Sequence, residues 1–248
     1  MERKLGDNTD NKMPLLICFA LKEEAAPFRK IAAGIGLRRG HHVSILLTGI
    51  GRQNAEKSLR EFLAGGVSVP PELVLTCGFA GGLNPDLKLG DVVFEIHSGS
   101  SRRELAQTKS GEELEPTDVG CYDRLLAAGA KPARFFCADR IATTIAEKKQ
   151  LRAETGADAV EMESAAIHAI CAEKHIPCAT VRVISDTASE DLPLDFNALF
   201  KPDKNLDYGK LFFAIAQSPG KIAALMELQK KTKFAAERLT EVLSKIIR

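Results

Sequence analysis

Three carboxylates follow apolar runs in this sequence, a position where side chains can meet a ligand. Glu24 closes L-L-I-C-F-A-L-K-E-E, Glu163 lies within V-E-M-E-S-A-A, and Asp186 ends V-R-V-I-S-D. Separate carboxylates can serve as general base, general acid and acceptor for a hydroxyl group. The pattern therefore indicates acid–base chemistry on a small polar molecule. Glu24 also opens a helical pattern. An acid at such a position can instead have a purely structural role, in which it complements the helix dipole.

The stretch around Glu163 raises a question of orientation. Glu161 and Glu163 stand between apolar neighbours, which is also typical of a solvated strand edge. If residues 157–164 form a strand, both glutamates share one face and Met162 points to the other. Ser164 is then expected to cap the helix that follows.

Two glycine-containing turns follow further apolar runs. The first, T-G-I-G-R-Q-N-A at 48–55, is similar to the phosphate turn of dinucleotide-binding folds, but the next strand lacks the acid that holds a ribose. Gly49 and Gly51 are therefore interpreted as permitting close packing beside a small-molecule site. The second, C-G-F-A-G-G-L at 77–83, either lets the backbone approach a ligand or is simply a tight turn.

Near-continuous apolar runs alternate with amphipathic segments, which suits strands buried on both faces and helices between them. The predicted strands are 15–20, 43–48, 73–77, 91–96, 134–138 and 179–185, and the predicted helices include 51–64, 144–155 and 164–175. This alternation predicts an α/β fold with a largely parallel sheet, whose ligands gather at the carboxyl ends of the strands. Residues 98–118 are polar and predict a surface excursion.

The composition narrows the classes of function. Of the 248 residues, 45% are hydrophobic and 27% are charged, and the formal net charge is +1, so the overall charge does not point to nucleic acid. Residues 1–13 are polar, which predicts a disordered N-terminus rather than a signal peptide. Neither the six cysteines nor the five histidines have metal-site spacing, which predicts no metal and a reducing, cytoplasmic location.

The motif V-E-M-E-S-A-A-I, followed after one further predicted helix by V-R-V-I-S-D, resembles the purine nucleoside phosphorylase and nucleosidase superfamily, particularly its 5′-methylthioadenosine/S-adenosylhomocysteine nucleosidases. A-L-K-E-E and C-G-F-A-G-G-L-N-P-D-L-K-L-G-D-V-V extend the likeness over residues 14–190. The resemblance implies a three-layer α/β/α sandwich around a mixed, mostly parallel sheet, with residues 191–248 as a helical C-terminal extension packed on it. G-F-A-G-G-L-N-P and D-L-P-L-D-F-N are also similar to the hopanoid-associated phosphorylases, which act on adenosylated hopanoid lipids.

The resemblance implies a role for each acid. Asp186 matches the general acid that shares a proton with purine N7, Glu163 matches the carboxylate that accepts the ribose 2′-hydroxyl, and Glu24 matches the base that activates water. Met162 matches the residue packed on the ribose face, and Ile141 replaces an aromatic that stacks on the base. The other substrate contacts predicted from these motifs are Glu161, Phe79, Ala80, Gly81 and Ser185.

Two departures from the family pattern bear on the nucleophile. Phe79 stands where relatives have a serine, and Thr76 or Cys77 stands where phosphorylases have the arginine that clamps phosphate. A phosphate dianion is hard to desolvate without such a clamp, so hydrolysis is favoured over phosphorolysis. Arg52, beside Gly51, is the nearby basic residue that could rescue a phosphate site.

Three functions therefore stay open. The first is a cofactor-independent purine nucleosidase, a homodimer by family analogy, acting on adenosylhopane or a 5′-thioadenosine. The second is a phosphate-dependent purine nucleoside phosphorylase, and the third is a catalytically silent nucleoside-binding protein, against which the presence of all three acids weighs.

The C-terminal segment has a basic balance and two interpretations. Residues 207–217 and 220–247 carry apolar side chains at helical spacing, interleaved with lysines. Such helices either pack on the body of the protein or lie on an anionic membrane surface as a peripheral contact.

Overall fold

The computed structural model describes residues 14–39, 43–65, 69–97, 116–201 and 220–247. Within these ranges, the strands are β1 (Leu15–Phe19), β2 (Val43–Leu47), β3 (Leu73–Gly82), β4 (Val92–His97), β5 (Lys131–Pro132), β6 (Phe135–Cys137), β7 (Ala159–Glu161) and β8 (Cys178–Asp186). The helices are α1 (Lys22–Arg39), α2 (Arg52–Ala64), α3 (Pro116–Ala127), α4 (Ile145–Thr155), α5 (Ser164–Glu173), α6 (Phe196–Leu199) and α7 (Lys221–Ile246).

The strands form one mixed sheet with β3 near its centre. Its main path runs β2-β1-β3-β8-β4-β5, and β7 joins β3 to β6 at the side. The pairs β1–β2, β1–β3, β3–β8, β4–β5 and β6–β7 are parallel, whereas β4–β8 and β3–β7 are antiparallel. The prediction of a mixed, mostly parallel sheet is confirmed.

Helices cover both faces of the sheet because its central strands are apolar on both sides. On β1, Ile17 contributes to a core that also contains Phe28 of α1 and Leu243 of α7. Its neighbour Leu16 points to the opposite face, into a core with Leu59 of α2 and further residues of α5. The three layers are therefore helix, sheet and helix, as the resemblance implies.

Helix α7 has two unlike halves. Its C-terminal half is buried, with Leu239 and Leu243 in the main core, whereas Ile222 and Met226 in the N-terminal half are 46% and 56% exposed. The helix begins after Gly220, at the start of the predicted segment 220–247. The predicted helix at 207–217 lies outside the described residues.

The structure corrects the interpretation of the V-E-M-E-S stretch. Strand β7 ends at Glu161, because its parallel ladder with β6 ends at the pair Cys137 and Glu161 and its ladder with β3 covers only Ala159 and Val160. Met162 and Glu163 then lie in a bend, so the alternation of faces predicted for a strand over 157–164 is wrong there. The Ser164 cap is wrong as well: the N-cap of α5 is Glu163, and the Ser164 hydroxyl donates to Glu161 Oε1 at 2.6 Å.

Two further expectations concern segments that are largely undescribed. Residues 116–118, assigned to a surface excursion, begin helix α3, and the rest of 98–118 lies outside the described residues. The prediction of disorder for 1–13 also falls outside them.

Candidate active site

The candidate site lies where the predicted acids converge along β3. Glu24 is in the first turn of α1, directly after β1, and Asp186 is the last residue of β8. Glu163 follows β7, which pairs with the end of β3. Because β1 and β8 both run parallel to β3, their carboxyl ends meet at one edge of the sheet.

Glu24 is held by backbone N–H groups from β3 and from the bend before α1. Its Oε1 accepts from Phe79 N at 2.8 Å and its Oε2 accepts from Leu21 N at 2.9 Å. The side chain is buried, and this burial raises the pKa of Glu24 against the opposing effect of the N–H donors and of Arg182. The carboxylate therefore supports the start of α1 and also reaches β3, so its two interpretations are compatible.

Gly78 makes this approach possible. A Cβ atom at this position would lie 2.7 Å from Glu24 Oε1 and 3.0 Å from Arg182 Nη1. Glycine is therefore required for Glu24 and Arg182 to pack against the backbone of β3.

Arg182, in the middle of β8, is the centre of a buried charge cluster. Its Nη2 lies 2.5 Å from Glu161 Oε2 and 3.4 Å from Glu163 Oε2, and it donates to Thr76 Oγ1 at 3.2 Å. Although burial opposes it, these carboxylates and Glu24 raise the pKa of Arg182 and keep it charged. Arg182, Glu24, Glu161 and Glu163 are called the arginine cluster below.

Glu161 is occupied by protein partners on both oxygens. Its Oε1 accepts from the Ser164 hydroxyl, and its Oε2 contacts Arg182 and accepts from Glu163 N and Ser164 N. Burial favours the neutral acid, but Arg182 and these hydrogen bonds outweigh it and lower the pKa of Glu161. Glu161 therefore organises Arg182 and the start of α5.

Glu163 is in a different electrostatic state. Its Oε1 accepts from Gly51 N at 2.9 Å, at the start of α2. Burial is the main cause that raises the pKa of Glu163 to about 7; Arg182 opposes this rise and the neighbouring Glu161 adds to it. This carboxyl group can therefore change its charge near neutral pH.

Asp186 stands on a β-bulge at the end of β8. The pairing of β3 with β8 shifts between Ala80 and Gly81, so that Asp186, not Ser185, lies opposite Gly81. The bulge brings adjacent side chains together, and the Ser185 hydroxyl donates to Asp186 Oδ1 at 2.8 Å. A Cβ atom on Gly81 would lie 3.3 Å from Asp186 Oδ2, so the carboxylate packs directly over this glycine.

A lysine contacts the other oxygen of Asp186. Lys148 Nζ, on α4, lies 2.6 Å from Asp186 Oδ2, and the Lys148 side chain is 0% exposed. The same ammonium group donates to Thr187 O and Glu190 O, both at 2.8 Å. Lys148 and Asp186 are called the lysine pair below.

The remaining predicted substrate contacts are spread around these two centres. Met162 is buried beside Glu163, and the Phe79 side chain packs on the core shared with α1 and α7. Ala80 is buried on β3, and its carbonyl oxygen lies 3.4 Å from Ser185 Oγ. The backbone N–H and C=O of Ile141 are both hydrogen-bonded to the Asn197 side chain of α6, at 2.8 and 2.9 Å.

The two protein groups that were predicted to bind phosphate both contact acidic side chains. The Gly51 N–H donates to Glu163, and Arg52 Nη2 lies 3.6 Å from Asp139 Oδ1 on an exposed part of the surface.

Sequence reasoning missed Arg182 and Lys148 as parts of the site. Arg182 carried a signal, since a charged residue inside an otherwise apolar strand must find buried partners. Lys148 carried none, because it stands next to Lys149 in a helix with many charged residues.

A cleft beside Asp186 separates the site from the C-terminal helix. Its walls come from the segment after β8 and from the exposed half of α7: Asp186, Glu190, Asp191, Leu192, Pro193, Ala224, Glu227, Leu228 and Lys231. Lys231 bridges them by contacting Glu190 Oε1 at 2.9 Å. Within the described part of the chain, no helix is long and apolar enough to cross a bilayer, and no cluster of side chains fits a metal ion.

Comparison with known proteins identifies the family to which the chain belongs. The family model described as the phosphorylase superfamily matches residues 18–248, so the chain belongs to that superfamily. Among curated relatives, the 5′-methylthioadenosine/S-adenosylhomocysteine nucleosidase of Marinomonas sp. is 28% identical over 182 residues, covering 67% of this chain and 78% of the relative.

Solved structures show the same fold at lower identity. Futalosine hydrolase of Helicobacter pylori superposes with a TM-score of 0.63 at 19% identity, covering 96% of this chain and 98% of that one. The 5′-methylthioadenosine/S-adenosylhomocysteine nucleosidase of Colwellia psychrerythraea, in complex with adenine, has a TM-score of 0.63 at 17% identity, and 95% of each chain is covered.

Proposed function

We propose that this chain is a purine nucleosidase, which hydrolyses the N-glycosidic bond of an adenosine derivative. The observation that carries the proposal is the convergence of Glu24, Glu163 and Asp186 on one edge of the sheet, around β3. Relatives that are named nucleosidases support the same reaction class.

The chemistry needs help at both ends of the bond that breaks. Departure of the purine leaves an oxocarbenium-like sugar, and the purine itself must gain a proton. In the proposed mechanism Asp186 shares its proton with purine N7, and ionised Glu163 accepts the 2′-hydroxyl and stabilises the positive sugar. Glu24 takes a proton from the water that attacks the anomeric carbon; its raised pKa suits a general base. Met162 and Ile141 would pack on the ribose and base.

Water is favoured over phosphate as the nucleophile on electrostatic grounds. The neighbourhood of the sugar would contain three carboxylates and one arginine, and Arg182 is already paired with Glu161 and Glu163. The Gly51 N–H is used by Glu163, and Arg52 lies near Asp139. A phosphate dianion would have to displace these partners at a cost in desolvation.

The finer features of the proposal concern the substrate and its surroundings. A 5′-thioadenosine is the preferred substrate class by likeness to the curated relatives, with adenosylhopane as the alternative from the sequence motifs. We further infer a homodimer that needs no cofactor and works in the cytoplasm. For the adenosylhopane alternative we also propose peripheral membrane contact through the exposed half of α7, because such contact would suit a lipid-linked nucleoside.

Incubation with a panel of nucleosides tests the proposal. The panel contains 5′-methylthioadenosine, S-adenosylhomocysteine, adenosine, futalosine and uridine, each with and without phosphate. Released base is measured by chromatography, and the sugar product is identified by mass spectrometry. We expect a free sugar at a rate independent of phosphate, from purine nucleosides only. A sugar 1-phosphate formed at a rate that rises with phosphate would instead establish a phosphorylase, and binding without turnover would establish a silent binding protein.

A further inference from the structure

Lys148 is unusual because its ammonium group is completely enclosed. The side chain is 0% exposed, although lysine is almost never fully buried unless its charge is paired. Its three oxygen partners lie within 2.8 Å: the Asp186 carboxylate and the carbonyls of Thr187 and Glu190. An ammonium group has three donors, so this set satisfies it completely.

The partners of Lys148 all belong to the end of β8 and the turn that follows it. Two carbonyls would be enough to staple this turn to α4. The third partner is the residue to which the proposed function assigns proton transfer, and the 2.6 Å contact with it is the shortest of the three. Ser185 holds the other oxygen at 2.8 Å, so the carboxylate is fixed from both sides.

The helix that carries Lys148 is itself firmly placed. Its N-cap Thr144 and Glu147 form a capping box, and Ile145 N donates to Asp191 Oδ1 at 2.6 Å. Leu192 N donates to Thr143 O at 2.8 Å. These contacts tie the start of α4 to the segment after Asp186, which lines the cleft. Lys148 therefore contacts Asp186, the proposed general acid, from a firmly held helix.

We propose that Lys148 is a positioning residue for Asp186: its ammonium group fixes the orientation of the carboxyl group and links it to the segment 187–193. This inference rests on the proposed function of the site. Room for the substrate remains, since a carboxyl group has about four hydrogen-bonding positions and Lys148 and Ser185 use two, which leaves a position for the proton shared with purine N7. A misplacement of about 1 Å in such a group can cost on the order of 100-fold in rate.

Three variants of the full-length chain separate positioning from simple stapling. Lys148→Met keeps the length of the side chain and removes its charge, Lys148→Arg restores a cation, and Lys149→Met changes the exposed neighbour on the same helix. We expect Lys148→Met to lower kcat by about 10- to 100-fold with little change in KM. Lys148→Arg should recover part of this loss, and Lys149→Met should match the wild type.

A double-mutant cycle provides the decisive readout. If Lys148 acts through Asp186, adding Lys148→Met to Asp186→Asn should change the residual kcat/KM by no more than about twofold. If Lys148 only staples the turn, its loss should lower activity as much in the Asp186→Asn background as in the wild type. That additive result would overturn the proposal, as would a Lys148→Met enzyme with wild-type kcat.

Crystal structures of the same variants give a test that does not depend on turnover. In Lys148→Met the Asp186 carboxylate should rotate away from its place beside α4, whereas in Lys149→Met it should superpose on the wild type. An unmoved carboxylate in folded Lys148→Met contradicts the positioning role. If the wild-type chain releases no purine from any nucleoside, the proposed function fails, and these structures still decide whether Lys148 orients Asp186.

Discussion

The arginine cluster and the lysine pair lie at neighbouring points of β3, and they balance buried charge in different ways. In the cluster, one cation serves three carboxylates, and Glu161 and Glu163 share a single Arg182 nitrogen. In the pair, one cation serves one carboxylate, and backbone carbonyls fill its remaining positions. When all groups are ionised, the cluster therefore has a net negative charge, whereas the pair is neutral.

This difference matches the separate needs of the sugar and the purine when the N-glycosidic bond breaks as proposed. A sugar that develops positive charge is stabilised by surplus negative charge nearby, which the arginine cluster supplies. Without such a ligand a buried negative charge is costly: burial, with a smaller contribution from the neighbouring Glu161, raises the pKa of Glu163 to about 7. The purine end needs a carboxyl group held in one orientation, and the lysine pair provides that.

Removal of the acid from the pair should have the largest effect on activity. Asp186→Asn conserves volume but removes the proton donor, so purine release should fall by about 10²–10⁴-fold while the chain stays folded. Steady-state kinetics and circular dichroism measure the two outcomes. The exposed loop acid variant Asp86→Asn serves as the control. Near-normal turnover by Asp186→Asn would remove Asp186 from the mechanism.

Removal of the cation from the cluster should have the largest effect on stability. Arg182→Met leaves buried carboxylates without their counter-charge, which typically costs about 3–5 kcal/mol of unfolding free energy. Urea denaturation measures the loss. The control is Arg60→Met, because Arg60 also contacts two glutamates but does so on the surface, where the change should be small. Similar losses in the two variants would mean that the cluster is not a buried network.

A single methyl group should disturb the sugar end without replacing any of its acids. In Gly78→Ala the new Cβ would meet Glu24 Oε1 at 2.7 Å, so Glu24 must move and kcat/KM should fall by on the order of 100-fold. The backbone φ of +153° also disfavours alanine, so stability is measured in parallel. Gly220→Ala is the matched control, because nothing lies within 4 Å of its added Cβ. An active, folded Gly78→Ala enzyme would show that the position of Glu24 does not matter.

The smallest expected effect is a pH dependence that distinguishes the two glutamates bound to Arg182. For Glu163 the folded pKa of about 7 lies above the ordinary 4.5, so its contribution to stability is complete below 4.5 and is lost as the pH rises through about 7. The magnitude is on the order of 1–3 kcal/mol. The melting temperature of Glu163→Gln should therefore rise relative to that of the wild type as the pH increases from about 5 to about 8.

Glu161→Gln provides the contrast for this prediction. The pKa of Glu161 is lowered, so its stabilising contribution is present above the ordinary value of 4.5 and is lost only as the pH falls below it. The deficit of Glu161→Gln should therefore stay constant over the range in which Glu163→Gln improves. Parallel curves for both variants would contradict the assignment of separate charge states.

The sequence predicted the parts of this site that depend on local pattern. Strand–helix alternation predicted the sheet, and the acids at strand ends predicted where Glu24 and Asp186 converge. It could not predict that β7 stops at Glu161, because that end depends on how far the ladder with β6 extends. Nor could it predict Lys148 beside Asp186, since the two residues belong to separate elements and the contact arises only when α4 packs against the end of β8.

The β3 strand has an evolutionary consequence. Phe79 N binds Glu24, and Gly81, two residues later, packs under Asp186, so the spacing of these acids follows the strand repeat of about 3.3 Å per residue. A one-residue insertion between Gly78 and Gly81 would turn every later side chain of β3 to the opposite face. Lineages that adapt to bulkier substrates are therefore expected to accumulate changes and length differences in the segment 187–199, while the length of β3 stays constant.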